Sequence, residues 1–260
     1  MNTVISKDGT SIVYDKYGSG PAVILVDGAF CSRKFGPMVS LTPVLAQQFT
    51  VYTYDRRARG DSDDTKPYAV QREIEDIQAL IDIAGGSACL FGISSGAILC
   101  VHAVAGGLNV PRLALFEPPY IGNKDQRRPA DAKEQLDKMI AEERRGDAVR
   151  FYLTKVIGAP AIMAFILRLT PNWPKMKNNA GSLPYDAAVC GDFNLPKAQI
   201  SSITIPTLVI DSKQSPDSLR NAVQAVAEVL PHGQRISLRG SVHAVPPKTL
   251  VPVLTNFYLA

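Results

Sequence analysis

The stretch Cys89-Leu-Phe-Gly-Ile-Ser-Ser-Gly-Ala-Ile-Leu-Cys100 decides the fold. The apolar run from Ala88 to Phe91 predicts a buried strand, and the small residues from Ser95 to about Gly106 predict a helix. Between them stands Gly92-Ile93-Ser94-Ser95-Gly96, a G-x-S-x-G pattern set in a strand, a sharp turn and a helix. Such a turn is strained and lifts the Ser94 hydroxyl above the edge of a sheet. Bulky side chains at positions 92 and 96 would collide with the neighbouring strand and helix. The helix also aims its N-terminal N–H groups at the same point, which favours negative charge developing there. Ser94 is therefore the candidate nucleophile.

Outward from this stretch the chain alternates. Upstream, Val4 to Ser6 and Ile12 to Tyr17 read as a hairpin around Asp8-Gly9, and the β-branched run Ala22 to Val26 reads as a strand covered on both faces. A helix follows over Pro37 to Gln48, a strand over Thr50 to Tyr54, and a helix over Val70 to Ala84. In that helix Val70, Ile74, Ile77, Ile81 and Ala84 make one apolar stripe. Downstream, Arg112 to Phe116 is a strand. Residues 120–203 contain no convincing strand and offer helices instead, over Ala130 to Arg145, Ala148 to Ile157, Pro160 to Leu169, Trp173 to Asn178 and Pro184 to Cys190. The pattern resumes with a strand at Pro206 to Ile210, a helix at Pro216 to Leu230, a strand at Arg235 to Leu238 and a helix at Pro247 to Tyr258. Alternation of this kind predicts an α/β fold with a mostly parallel sheet and helices on both faces. The expected division is a core of residues 1–119 and 204–260 with a helical cap at 120–203.

Composition narrows the function classes. The chain has 260 residues, enough for one large α/β domain with an insertion. A net charge of +4 with no basic block beyond Arg56-Arg57 and Arg127-Arg128 argues against nucleic acid as a partner. The N-terminus lacks the layout of a signal peptide, and the longest apolar run, Ala159 to Leu167, is too short to span a membrane. The expectation is a cytoplasmic protein with no membrane partner, a monomer or homodimer. Four scattered cysteines and three dispersed histidines give no ligand spacing, so no metal and no cofactor is expected.

A serine hydroxyl needs a base within reach. His102 lies in the helix after Ser94, and His232 lies in a connecting loop. His243 follows the last strand, at the carboxyl edge where α/β proteins gather their sites. His243 is the candidate base. Two carboxylates end strands and could orient it, Glu117 and Asp211, and Asp217 lies a little beyond. An oxyanion hole needs two converging N–H groups. Ser95, next to the nucleophile, and Ala29, in Asp27-Gly28-Ala29-Phe30, are the candidates.

Four segments, Val26 to Phe30, Tyr54 to Ser62, Phe91 to Gly96 and Gly240 to His243, resemble the α/β-hydrolase superfamily, and in particular its single-domain bacterial members with a helical cap. The resemblance implies an eight-stranded α/β-hydrolase fold and a Ser-acid-His triad in that chain order. It places the acid most often a few residues past the strand after the insertion, which is here about Ser215. Asp211 is four residues early for that place. Some members, haloalkane dehalogenases among them, carry the acid where Glu117 stands. Glu117 is favoured and Asp211 is the alternative. The sequence departs from the superfamily pattern in having Asp27 for its usual histidine and Ala58 for a glycine of the loop after the fourth strand.

A serine nucleophile points to acyl transfer, on a small-molecule acyl substrate such as a carboxylic ester. Lactonase, carbon–carbon hydrolase and perhydrolase chemistry use the same triad, and a non-catalytic receptor on this fold is the remaining reading. Phe30, Tyr120, Met163, Phe165, Trp173 and Met176 are the expected lining of an apolar substrate pocket under the cap.

Overall fold

The hairpin forms as its turn residues require. The strands β1 (Asn2–Ile5) and β2 (Ser11–Tyr17) pair antiparallel, with Gly9 at a φ of +85° and Thr10 N–H donating to Asp8 Oδ1. The structure, a computed structural model, describes residues 1–122 and 128–260, so Arg127 of the arginine pair lies outside the described residues. Along the chain follow β3 (Ala22–Val26), α1 (Met38–Leu45), β4 (Thr50–Tyr54), α2 (Val70–Ile83), β5 (Cys89–Ile93), α3 (Ser95–Ala105) and β6 (Leu113–Phe116). Then come α4 (Ala132–Ala141), α5 (Arg145–Phe151), α6 (Ala161–Arg168), α7 (Asn172–Asn178), α8 (Leu183–Cys190) and α9 (Lys197–Ser201). The chain closes with β7 (Thr207–Ser212), α10 (Asp217–Val229), β8 (Gly233–Leu238) and α11 (Pro247–Leu259).

The strands make one eight-stranded sheet in the order β1-β2-β4-β3-β5-β6-β7-β8. Its pairs are parallel from β4 across to β8, and antiparallel only at the β1-β2-β4 edge. Strand residues alternate between two cores, as the two-residue period dictates. On one face Val23, Leu25, Phe91, Ala114 and Ile210 pack with α1 and α11. On the other Ile24, Leu90, Leu115 and Val209 pack with α2, α3 and α10. Helices α4 to α9 share this second core through Leu136, Val149, Tyr152 and Leu183. All parallel strands end at the edge where β5 turns into α3.

The segment between β6 and β7 differs from the sequence expectation in its breaks. One helix over 130–145 becomes two, because Glu143 takes a left-handed conformation (φ 57°) between α4 and α5. The next helix therefore starts at Arg145, not Ala148, and α5 runs into a π-helical turn at Tyr152–Val156.

Candidate active site

Ser94 sits between β5 and α3 with φ 55° and ψ −125°, backbone angles that cost a non-glycine residue about 1–3 kcal/mol. The surroundings hold it there. Its N–H donates to the Phe116 carbonyl at 3.0 Å. A Cβ on Gly96 would lie 2.2 Å from the Val26 carbonyl oxygen, and one on Gly92 would lie 2.7 Å from Ala97 Cα. Only glycine lets β5, α3 and the loop after β3 approach so closely. That loop reaches the nucleophile itself: a Cβ on Gly28 would stand 3.0 Å from Ser94 Cβ and 3.6 Å from its Oγ.

Glu117 directly follows β6, the strand beside β5, and is fully buried. Its Oε2 lies 2.7 Å from His243 Nδ1 and accepts the His243 backbone N–H at 2.7 Å. Its Oε1 accepts the backbone N–H of Ser212 (2.8 Å), the Ser212 hydroxyl (2.9 Å) and the Ser215 hydroxyl (2.5 Å). Burial by itself raises the Glu117 carboxyl, but His243, Ser215 and Ser212 together outweigh burial and hold it at about 2. An ionised Glu117 thus lies in ion-pair contact with His243 Nδ1 without an aligned hydrogen bond to it, and the Phe116 ring packs against the imidazole at 6.3 Å in a T-shaped contact. The place where the sequence pattern led to an acid, Ser215, holds instead a hydroxyl that donates to Glu117.

Asp211 and Glu117 end neighbouring strands yet face apart. In β7 Ser212 turns toward Glu117, so Asp211, one residue earlier, points to the opposite face. There it is fully buried against Arg235 (Nη2 at 2.7 Å and Nε at 2.8 Å), with Arg220 at 3.8 Å. Asp217, at the start of α10, is exposed and lies 3.9 Å from Arg220. His102 has Nε2 3.1 Å from the Val189 carbonyl and Nδ1 3.0 Å from the Gln199 amide, a packing role between α3, α8 and α9.

The candidate oxyanion residues lie on a buried charged network that sequence reasoning did not find. Arg59 Nη1 donates to the Gly28 carbonyl at 2.5 Å, and Arg56 Nη1 donates to the Asp27 carbonyl at 3.2 Å. In a trans peptide the C=O and the next N–H point in opposite directions, so Arg59 fixes the direction of the Ala29 N–H. Asp186, on α8 and fully buried, binds both arginines and also accepts the Ser95 hydroxyl at 2.8 Å. One carboxylate from the helices between β6 and β7 thereby fixes both loops that border Ser94. The only signal in the sequence is an aspartate in an apolar helical stretch, 127 residues from Arg59.

Asp27 is buried with its carboxyl beside Cys31 and Gly36; burial pushes it up to about 7, against the opposing effects of Arg59, Cys31 and Arg56. Ala58, in the glycine position of the loop after β4, takes a φ of 62°, the conformation that favours glycine there.

The expected pocket lining divides. Phe30, Tyr120 and Met176 are buried, with the Phe30 ring edge-on to Tyr152 at 5.4 Å. Trp173 is half-buried. Met163 and Phe165 lie on the outer side of α6, which buries only Ala164. Phe165 and Trp173 instead border a cavity of about 690 Å³ between α5, α6 and α7, whose lining does not include Ser94 or His243. The apolar sequence of α6 concealed this, because its side chains outnumber the inward positions of an eight-residue helix. Among the described residues no group of three His, Cys, Asp or Glu side chains could hold a metal ion.

Comparison with known proteins gives a consistent family. The model of the Alpha/beta hydrolase family matches residues 23–249. An alpha/beta hydrolase from Sphaerobacter thermophilus is 47% identical, over 99% of this chain and 100% of that one, with a TM-score of 0.92. A hydrolase from Pseudomonas aeruginosa shares the fold at 22% identity, over 100% of this chain and 98% of that one, with a TM-score of 0.75. The hydrolase YraK of Bacillus subtilis is 34% identical over 103 residues; the match spans 38% of this chain and only 37% of that protein.

Proposed function

The chain belongs to the alpha/beta hydrolase family, and from that premise we propose that it is a serine hydrolase of small carboxylic esters or related acyl compounds, with Ser94, His243 and Glu117 as its triad. The observation that carries the reading is the 2.7 Å contact between the buried Glu117 carboxylate and His243 Nδ1. It leaves Nε2 as the proton acceptor and stabilises the imidazolium that forms. Segment 120–203 is the cap in this reading, and the buried Phe30, Tyr120 and Met176 are the candidate apolar contacts for the acyl group.

Ser94 Oγ attacks the acyl carbon as its proton passes to His243 Nε2. The carbonyl electrons move to oxygen, and the oxyanion is met by the N–H groups of Ala29 and Ser95 at the N-terminus of α3. Collapse breaks the acyl–oxygen bond, and the leaving alcohol takes the proton from His243. Water, deprotonated by the same imidazole, then attacks the acyl-serine, and collapse releases the acid and restores Ser94.

The test is labelling with a fluorescent fluorophosphonate, comparing the wild type with Ser94→Ala, His243→Ala, Glu117→Gln and Asp211→Asn. Labelling is expected to vanish in the first two, to slow sharply in Glu117→Gln and to survive in Asp211→Asn. A folded wild type that takes no label would overturn the acyl-serine reading. Loss in Asp211→Asn alone would reassign the acid.

A further inference from the structure

The apolar side chains that do not reach the pocket form a surface of their own. Ile157, Ile162, Met163, Phe165, Ile166 and Leu169 are each between 45% and 74% exposed. They cluster on α6 and its two flanks, a ridge where a soluble face would carry polar residues. Charge around the ridge is predominantly positive. From Ala148 to Tyr185 the sequence contains no acidic residue and five basic ones, Arg150, Lys155, Arg168, Lys175 and Lys177. That net +5 exceeds the +4 of the whole chain, so the remainder sums to −1. The cavity beside the ridge is lined by Arg144, Arg145, Arg150, Arg168 and Lys177 together with Glu143 and Asp147, and Asp147 pairs with Arg144 at 2.9 Å and with Arg150 at 3.3 Å, which leaves the lining net positive.

We propose that this ridge docks the protein on an anionic lipid bilayer, with the α6 side chains entering the headgroup region and the surrounding lysines and arginines meeting lipid phosphates and carboxylates. Charge complementarity selects this occupant. Two copies meeting through the ridge would bring two faces with an excess of basic residues together. A bilayer receives a convex apolar ridge without needing a matching groove, and its negative surface attracts each basic side chain. The 690 Å³ cavity lies between the helices that carry these groups, with Arg145, Arg168 and Lys177 in its lining. No helix among the described residues is long and apolar enough to cross a membrane, and surface docking requires none. The proposal departs from the sequence expectation of no membrane partner, and is independent of the serine chemistry.

Trp173, the only tryptophan of the chain, borders the cavity and supplies the readout. The whole chain is mixed with vesicles of phosphatidylcholine alone and of phosphatidylcholine with phosphatidylserine, and binding is followed by co-sedimentation and Trp173 emission. The expected result is binding to the anionic vesicles with a blue shift, little binding to phosphatidylcholine alone, and release at high salt. Lys155→Glu and Arg168→Glu should each weaken binding by at least ~5-fold. The exposed pair Ile162→Ser and Ile166→Ser should abolish the blue shift while leaving Tm and fluorophosphonate labelling unchanged. Failure of the wild type to bind anionic vesicles would overturn the proposal, as would binding indifferent to both sets of substitutions. A concentration-dependent dimer by light scattering that Ile162→Ser dissolves would assign the ridge to a second copy and overturn it. So would binding to an acidic polypeptide without binding to vesicles.

Discussion

Replacing Asp186 by alanine removes the carboxylate on which the two border loops of Ser94 converge. Arg56 keeps a second buried partner, Glu73, at 2.6 and 2.8 Å. Arg59 does not: its other acceptors, Ser182 Oγ and the carbonyls of Gly28 and Cys31, are neutral. The variant therefore leaves a buried guanidinium without its counter-charge, and breaking such a pair costs about 3–5 kcal/mol. At roughly 3 °C per kcal/mol for a chain of this size, Tm should fall by roughly 10 °C. Because Arg59 also fixes the Gly28 carbonyl, the Ala29 N–H should lose its aim in the variants that still fold. The loss of one oxyanion donor sets the scale, about 10²-fold in kcat with KM changed far less. Asp186→Asn keeps the volume and one acceptor oxygen, and is the variant in which kcat can be read. Calorimetry on Asp186→Ala, Arg59→Met and the double variant Asp186→Ala/Arg59→Met gives the cycle, and ester kinetics are read on Asp186→Asn. The double variant should be more stable than either single one, since it removes both charges together. A Tm within about 2 °C of wild type in Asp186→Ala, or strictly additive losses in the cycle, would refute the reasoning.

Two pH dependences follow from the buried carboxyls. Glu117 sits at about 2 when folded against an ordinary 4.5, so its contribution, about 3 kcal/mol, is fully present above pH 4.5 and disappears as pH falls through 2. Denaturant melts against pH should show the advantage of wild type over Glu117→Gln shrinking across that interval; a constant gap would contradict it. Asp27 runs the other way. Its folded value of about 7 lies above the ordinary 3.8, so the folded state holds a proton that the unfolded chain has lost, and stability falls as pH rises from 3.8 to 7. Asp27→Asn should gain stability relative to wild type between about pH 4 and about pH 8, by at most about 4 kcal/mol. A gain of the same size at both pH values would reject the assignment.

The legible parts of this protein are those encoded within a few residues. The elbow is local: Gly92, Ser94 and Gly96 are specified by backbone angles and by the lack of room for a Cβ. The alternation of β-branched runs and apolar stripes yielded the sheet and its helices for the same reason. The carboxylate that meets His243 was half legible. Glu117 and Asp211 both end strands, and the choice turned on a one-residue step in β7, which sends Ser212 to one face and Asp211 to the other. The breaks in the helices between β6 and β7 were not legible, since a left-handed Glu143 carries no local signature that distinguishes it from a helical one.

By itself the sequence determined the fold class, the serine at the elbow and the histidine after the last strand, because each depends on short-range sterics or periodicity. Only the tertiary structure decided which carboxylate reaches His243, that Asp186 joins Arg59 across 127 residues, and that α6 turns Met163 and Phe165 outward. Those outcomes depend on which faces the packed elements leave to one another, and hydrophobic pattern specifies that a residue is apolar without specifying against what it packs.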